Sequence, residues 1–115
     1  MVEGFLKRFP DVPRIGSKED LLADETIDLV LIDDIPCNRA DLAISAMDAG
    51  KDVMSDKPGC TTFEQLQRLR QTVTKTGRIW TIDFSERFEV PSVTKATELI
   101  AKGAIGRVIQ TVGLG

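Results

Sequence analysis

Residues 28–36 read Asp28-Leu29-Val30-Leu31-Ile32-Asp33-Asp34-Ile35-Pro36, and the first six decide the fold. Leu29 to Ile32 are four consecutive apolar residues with no alternation. That pattern suits a strand buried on both faces, the central position of a parallel sheet. Helix starts stand on either side of it and share one device. Ser17 precedes Asp20 by three residues, Asn38 precedes Asp41, and Thr61 precedes Glu64. Each pair reads as an N-cap with an acid at the third helical position, a capping box or a near variant.

The helix opened by Asn38 runs to Gly50 and carries Ala40, Ala43, Ala46 and Ala49, small side chains that let a helix lie close to a sheet. A strand over 52–56 follows. The helix opened by Thr61 sets Phe63, Leu66, Leu69 and Val73 on one stripe, with Gly77 as its stop. Residues 78–84 form the next strand, in which Trp80, Ile82 and Phe84 share a face. A helix from Pro91 to Lys102 carries Val93, Ala96, Leu99 and Ile100. Residues 108–112 read as a last strand, and Phe5, Leu6 and Phe9 as part of an amphipathic helix at the start. Helices and strands that alternate in this way give βαβ units, an α/β fold with a doubly wound parallel sheet.

The chain has 115 residues, 42% hydrophobic and 29% charged, with a net charge of −3. One domain at most fits that length, and disorder does not fit that composition. The acidic balance, without a basic block, argues against nucleic acid and anionic membrane surfaces as partners. No apolar run reaches the length of a membrane span, and the first residues lack the pattern of a signal peptide, so the expected location is cytoplasmic. Cys37 and Cys60 form no disulfide scaffold. With no histidine in the chain, serine–histidine and histidine acid–base catalysis are excluded within it, and no metal site is expected.

Ligands of open parallel sheets bind at the carboxyl ends of the strands. Three segments stand at such ends: Asp33 to Pro36, Asp56-Lys57-Pro58, and Phe84 to Phe88. Lys57 is held between a strand end and a proline, so its ammonium could orient or polarise a substrate oxygen. On sequence pattern alone the plainer reading, a solvated loop lysine paired with Asp56, is favoured. Asp33 and Asp34 could hold ribose hydroxyls or a metal, or simply face water. Arg87 could meet an anion, or pair with Glu86 or Glu89. A response-regulator receiver domain also joins an aspartate-ended strand to a Lys-Pro pair, but there the lysine lies two strands beyond the acceptor aspartate. Here a single helix separates Asp33 from Asp56-Lys57-Pro58, and the receiver register fails.

Another register fits throughout. Residues 28–36, the helix ending Ala49-Gly50-Lys51-Asp52-Val53, then Asp56-Lys57-Pro58 and Thr61-Thr62-Phe63-Glu64 resemble the Gfo/Idh/MocA oxidoreductases. So do Thr76-Gly77, Arg87 in a strand-end Arg-Phe, and the run from Lys102 to Val108 through Gly103-Ala104-Ile105-Gly106. The resemblance implies a Rossmann-like sheet and hydride transfer between NAD or NADP and a sugar, polyol or related hydroxyl compound. It implies a homo-oligomer, with the nicotinamide dinucleotide and a small hydroxyl-bearing substrate as partners. Lys57 would be the catalytic residue. Asp34, Ile35, Pro36, Asn38, Asp56, Lys57, Pro58 and Arg87 would border the cofactor.

The sequence also departs from the family. Asp56 shortens the usual glutamate, and Ala40 stands where a histidine is common. No G-x-G-x-x-G turn is present to cradle a pyrophosphate. The expectation is therefore the middle of a dehydrogenase. Residues 1–90 would be the later part of its nucleotide-binding domain, and residues 91–115 a linker helix and first strand of a substrate and dimerisation domain. Such a sheet, lacking its first strands, leaves the 28–33 strand with an open apolar edge that invites another chain. Two functions follow. Either the chain is part of an oxidoreductase, inactive alone, or it is a non-catalytic Rossmann-like module that self-associates.

Overall fold

In the computed structural model, which describes residues 2–113, three strands and six helices follow one another. They are α1 (Val2–Arg8), α2 (Lys18–Ala23), β1 (Leu29–Ile32), α3 (Pro36–Asp48), β2 (Asp52–Asp56), α4 (Phe63–Thr76), β3 (Trp80–Asp83), α5 (Ser85–Glu89) and α6 (Pro91–Ala101). The sheet order is β1-β2-β3, so each strand lies beside the one that follows it. β1 and β2 are parallel, with Leu29 opposite Asp52 and Ile32 opposite Ser55. The Asp52 N–H donates to the Asp28 carbonyl at 2.8 Å, and the Val53 N–H to the Ile79 carbonyl, also at 2.8 Å. This is the α/β architecture of a partial Rossmann-like fold.

Small residues bring α3 onto the sheet, as the sequence suggests. Ala40, Ala43 and Ala46 are buried with Met47, and they meet Ile32 of β1, Val53 of β2 and Leu69 of α4 in one core. Ala49, beyond the helix, is exposed. On α4 the buried stripe is Leu69 and Thr72, with Leu66 and Val73 beside them, while Phe63 points to solvent. Gly77 ends α4 in the left-handed region at φ 68°, its N–H donating to the Val73 carbonyl. Lys51, buried at the turn into β2, donates from Nζ to the Asp24 carbonyl at 2.6 Å.

Several local expectations are corrected. β1 is not buried on both faces: Val30 and Ile32 pack inward, but Leu29 is 49% and Leu31 70% exposed. β1 is an edge strand of the described sheet, and Leu29 and Leu31 on its second face are exposed. Asn38 does not cap α3. The helix begins at Pro36 with Ile35 at the N-cap, because a proline at the first position needs no N–H partner and brings a helical φ. The cap of α4 is Thr62 rather than Thr61, and Gln65 completes the box in place of Glu64. Ser17 caps α2 as expected, accepting from the Asp20 N–H at 3.0 Å. Residues 108–112 form no strand, since none of the described strands pairs with them. Arg87 lies within the short helix α5 rather than at a bare strand end.

The chain divides into two compact units, residues 1–82 and 83–115. In the second, α5 and α6 pack together, with Val93 and Thr97 half-buried and Leu99 and Ile100 largely open to solvent. Among the described residues, no helix is long and apolar enough to cross a membrane.

Candidate functional site

The carboxyl ends of β1 and β2 lie side by side because the two strands are parallel and in register. Asp33 and Asp34 leave β1, and Asp56 closes β2 ahead of Lys57 and Pro58. The Lys57–Pro58 peptide bond is cis. What joins these ends is a residue that the sequence reading passed over, Arg39. Its side chain is only 6% exposed. Nε donates to the Asp34 carbonyl at 2.6 Å, one terminal nitrogen to the Pro58 carbonyl at 3.1 Å, and the other to Asp56 Oδ2 at 3.0 Å. Asp33 Oδ1 stands 3.8 Å from the same guanidinium. A signal for it was present. Arg39, Ala43 and Ala46 follow the helical spacing of one face, so a charged residue stands on the stripe that the alanines mark as buried. A buried guanidinium requires acceptors, and strand-end carbonyls and carboxylates are the nearest supply.

The other expected residues take distinct places. Asp34 turns back on the chain, its Oδ1 accepting from the Ile35 N–H at 2.6 Å. Lys57 Nζ lies 3.9 Å from Asp56 Oδ1, and the lysine side chain is 41% exposed. One carboxylate thus serves both cations, with Oδ2 toward Arg39 and Oδ1 toward Lys57. Pro36 opens α3, and Asn38 sits in its first turn with Oδ1 facing Cys37 Sγ at 3.6 Å. Gln65 links the starts of two helices: Nε2 donates to the Cys37 carbonyl at 2.9 Å, while Oε1 accepts from the Thr61 and Thr62 N–H groups. Gly59 is buried beneath Trp80 and Ile82 of β3, leaving no room there for a side chain. Cys60 packs against the core. Arg87 belongs to the second unit, where its guanidinium lies 5.4 Å from the centre of the Phe88 ring.

The strand ends offer carboxylate acceptors and one ammonium donor to a ligand. Carboxylates at the end of β1 can accept from ribose hydroxyls, and the Lys57 ammonium can donate to a substrate oxygen. A pyrophosphate asks for N–H donors, and the Ile35 N–H is already taken by Asp34.

Over residues 5–84 the chain matches the family described as oxidoreductase, NAD-binding Rossmann fold (GFO_IDH_MocA). It is 30% identical over 113 residues to the D-xylose 1-dehydrogenase (NADP(+)) of Hypocrea jecorina, covering 96% of this chain and 29% of that protein. It is 31% identical over 94 residues to the scyllo-inositol 2-dehydrogenase (NAD(+)) of Bacillus subtilis, covering 82% of this chain and 27% of that one. A solved structure from Erwinia carotovora atroseptica, 46% identical, superposes with a TM-score of 0.89 over 94% of this chain and 32% of its own length. The chain spans about a third or less of each of these relatives.

Proposed function

We propose, from the premise that the chain belongs to the Gfo/Idh/MocA oxidoreductases, that it carries the lysine half of a hydride-transfer site acting on a small hydroxyl compound such as a sugar or polyol. The observation that supports this most is the Asp56 carboxylate, held through Oδ2 by buried Arg39 and facing Lys57 Nζ through Oδ1. In this reading NAD or NADP supplies the hydride acceptor. Asp34, Ile35, Pro36 and Asn38 border it from the β1 end, and Asp56, Lys57 and Pro58 from the β2 end. Lys57 would donate to the substrate oxygen and stabilise the negative charge that grows there as the hydroxyl proton passes to a general base, while the carbinol hydrogen leaves carbon with its electron pair as hydride. In an intact oxidoreductase carrying this segment, Lys57→Met then lowers turnover about a hundredfold or more, the loss of one preorganised donor. Unchanged turnover would refute the assignment.

The 115-residue chain by itself is read as inactive. It holds no G-x-G-x-x-G turn to anchor a pyrophosphate and no histidine to take a proton. Each missing hydrogen bond to a charged group is worth about 1.5–3 kcal/mol, so two or three weaken dinucleotide binding by several powers of ten. A flat nicotinamide absorbance trace with purified chain, NAD and a polyol is the expected result. Reduced nicotinamide that disappears with Lys57→Met would overturn it. The exposed Leu29 and Leu31 on an edge strand favour a second reading, a module that acts by self-association. Titration with nicotinamide mononucleotide at millimolar concentration, roughly, separates the two, because only the first expects a response at Lys57.

A further inference from the structure

We infer that Arg39 is a positioning residue for this site: through Asp56 and the Pro58 carbonyl it sets where the Lys57 ammonium stands. The inference rests on the proposed role of Lys57 and adds the residue that makes that role geometrically possible. Both chain neighbours of Lys57 are bonded to the same guanidinium, Asp56 through its carboxylate at 3.0 Å and Pro58 through its carbonyl at 3.1 Å. The third bond, to the Asp34 carbonyl at 2.6 Å, ties that unit to the end of β1. Lys57 therefore stands on a short segment pinned on both sides and referenced to the neighbouring strand.

The chemistry asks for arginine. Its three nitrogens diverge in one plane and reach three acceptors on three residues, whereas a lysine offers a single nitrogen at the end of a flexible stem. The carboxylate adds a second means of control. With Oδ2 fixed by Arg39, the orientation of Oδ1 is fixed too, and Oδ1 faces Lys57 Nζ. The helix that carries Arg39 is anchored independently, by Ala43, Ala46 and Met47 in the core, so the guanidinium transmits the rigidity of the core to the strand-end turn.

The test follows the Lys57 side chain by NMR in the 115-residue chain with isotopically labelled lysine, its resonance identified by its loss in Lys57→Met. Nicotinamide mononucleotide is the probe. In the unaltered chain it is expected to shift Lys57 and the amides of Asp33 and Asp34. Arg39→Lys keeps the charge and Arg39→Met most of the volume; both should leave the Met47 and Leu69 methyl signals in place. In both, the shifts at Asp33 and Asp34 should persist while the ligand-induced shift at Lys57 shrinks about tenfold or more, because the ammonium is no longer held against the ligand. A role confined to folding would weaken both sets of responses together, and that result, or equal responses at Lys57 in all three proteins, overturns the inference. No response at Lys57 in the unaltered chain, with shifts elsewhere or none, instead dismisses the proposed function. In that case the inference is decided by a measurement that needs neither ligand nor variant. The Arg39 Nε–H must exchange slowly with water and be as rigid as the α3 backbone, and fast exchange would overturn it whether or not the variants fold.

Discussion

Gly59→Ala should destabilise the fold from a position next to the site. A Cβ at residue 59 would lie 2.8 Å from Trp80 Cζ2 and closer still to Ile82 Cδ1. Ile82 can swing its terminal methyl away. The Trp80 ring is planar and packs against the core, so the remaining strain falls on the backbone of residue 59, which follows the Pro58 carbonyl held by Arg39. Overpacking of this kind costs about 1–3 kcal/mol. The smaller conformational freedom of alanine in the unfolded chain returns about 0.4–1 kcal/mol, leaving a net loss of at most about 2.6 kcal/mol and about 1.3 kcal/mol at the middle of both ranges. With a urea dependence of about 2 kcal/mol per molar, the middle of the usual range, the unfolding midpoint should fall by roughly 0.6 M. Trp80 is the single tryptophan and reports the transition by its fluorescence. Gly4→Ala is the matched control. Gly4 lies in α1, where an added methyl group would meet nothing within 4 Å, and alanine there should be neutral or stabilising by about 0.5–1 kcal/mol. A Gly59→Ala midpoint at or above that of the unaltered chain would refute the reasoning.

Two further outcomes are expected. The Thr26 hydroxyl and N–H, with Lys51 nearby, hold the Asp24 carboxyl below its ordinary value of 3.8. A carboxyl depressed by folding adds stability above its unfolded value, and that contribution is lost as pH falls through the folded one. The urea midpoints of the unaltered chain and Asp24→Asn should therefore differ near neutrality and converge in acid. A gap that persists or widens in acid would contradict the assignment. Separately, the open edge of β1 with exposed Leu29 and Leu31 should make the chain associate at tens of micromolar, roughly, and Leu31→Lys should reduce this. Light scattering that finds a stable 12.7 kDa monomer for the unaltered chain would contradict it.

What was legible in the sequence followed local chemistry. Alanine spacing placed α3 against the sheet, Gly77 stopped α4, and the apolar run at 29–32 marked β1. Capping patterns located two helix starts to within a residue, but threonine at both 61 and 62 left the choice to the reach of Gln65. Asn38 misled because a proline two residues earlier opens the helix without a side-chain cap. The strand expected at 108–112 failed for a non-local reason: β-prone residues form a strand only beside a partner, and the described strands give them none. At the strand ends, Lys57 and Asp56 were singled out by position and motif. Arg39 was missed because its three acceptors come from residues 34, 56 and 58, and only the closed fold brings them together.

In the proposed function the nicotinamide end of the cofactor meets Lys57 at the adjoining ends of β1 and β2. The most direct measurement is the transferred nuclear Overhauser effect between nicotinamide mononucleotide and the chain with isotopically labelled lysine. Cross-relaxation is expected from the proton at the reacting ring carbon to the Lys57 ε-methylene, weakened by competing NAD. Cross-peaks confined to other lysines, or none at saturating mononucleotide, would contradict it.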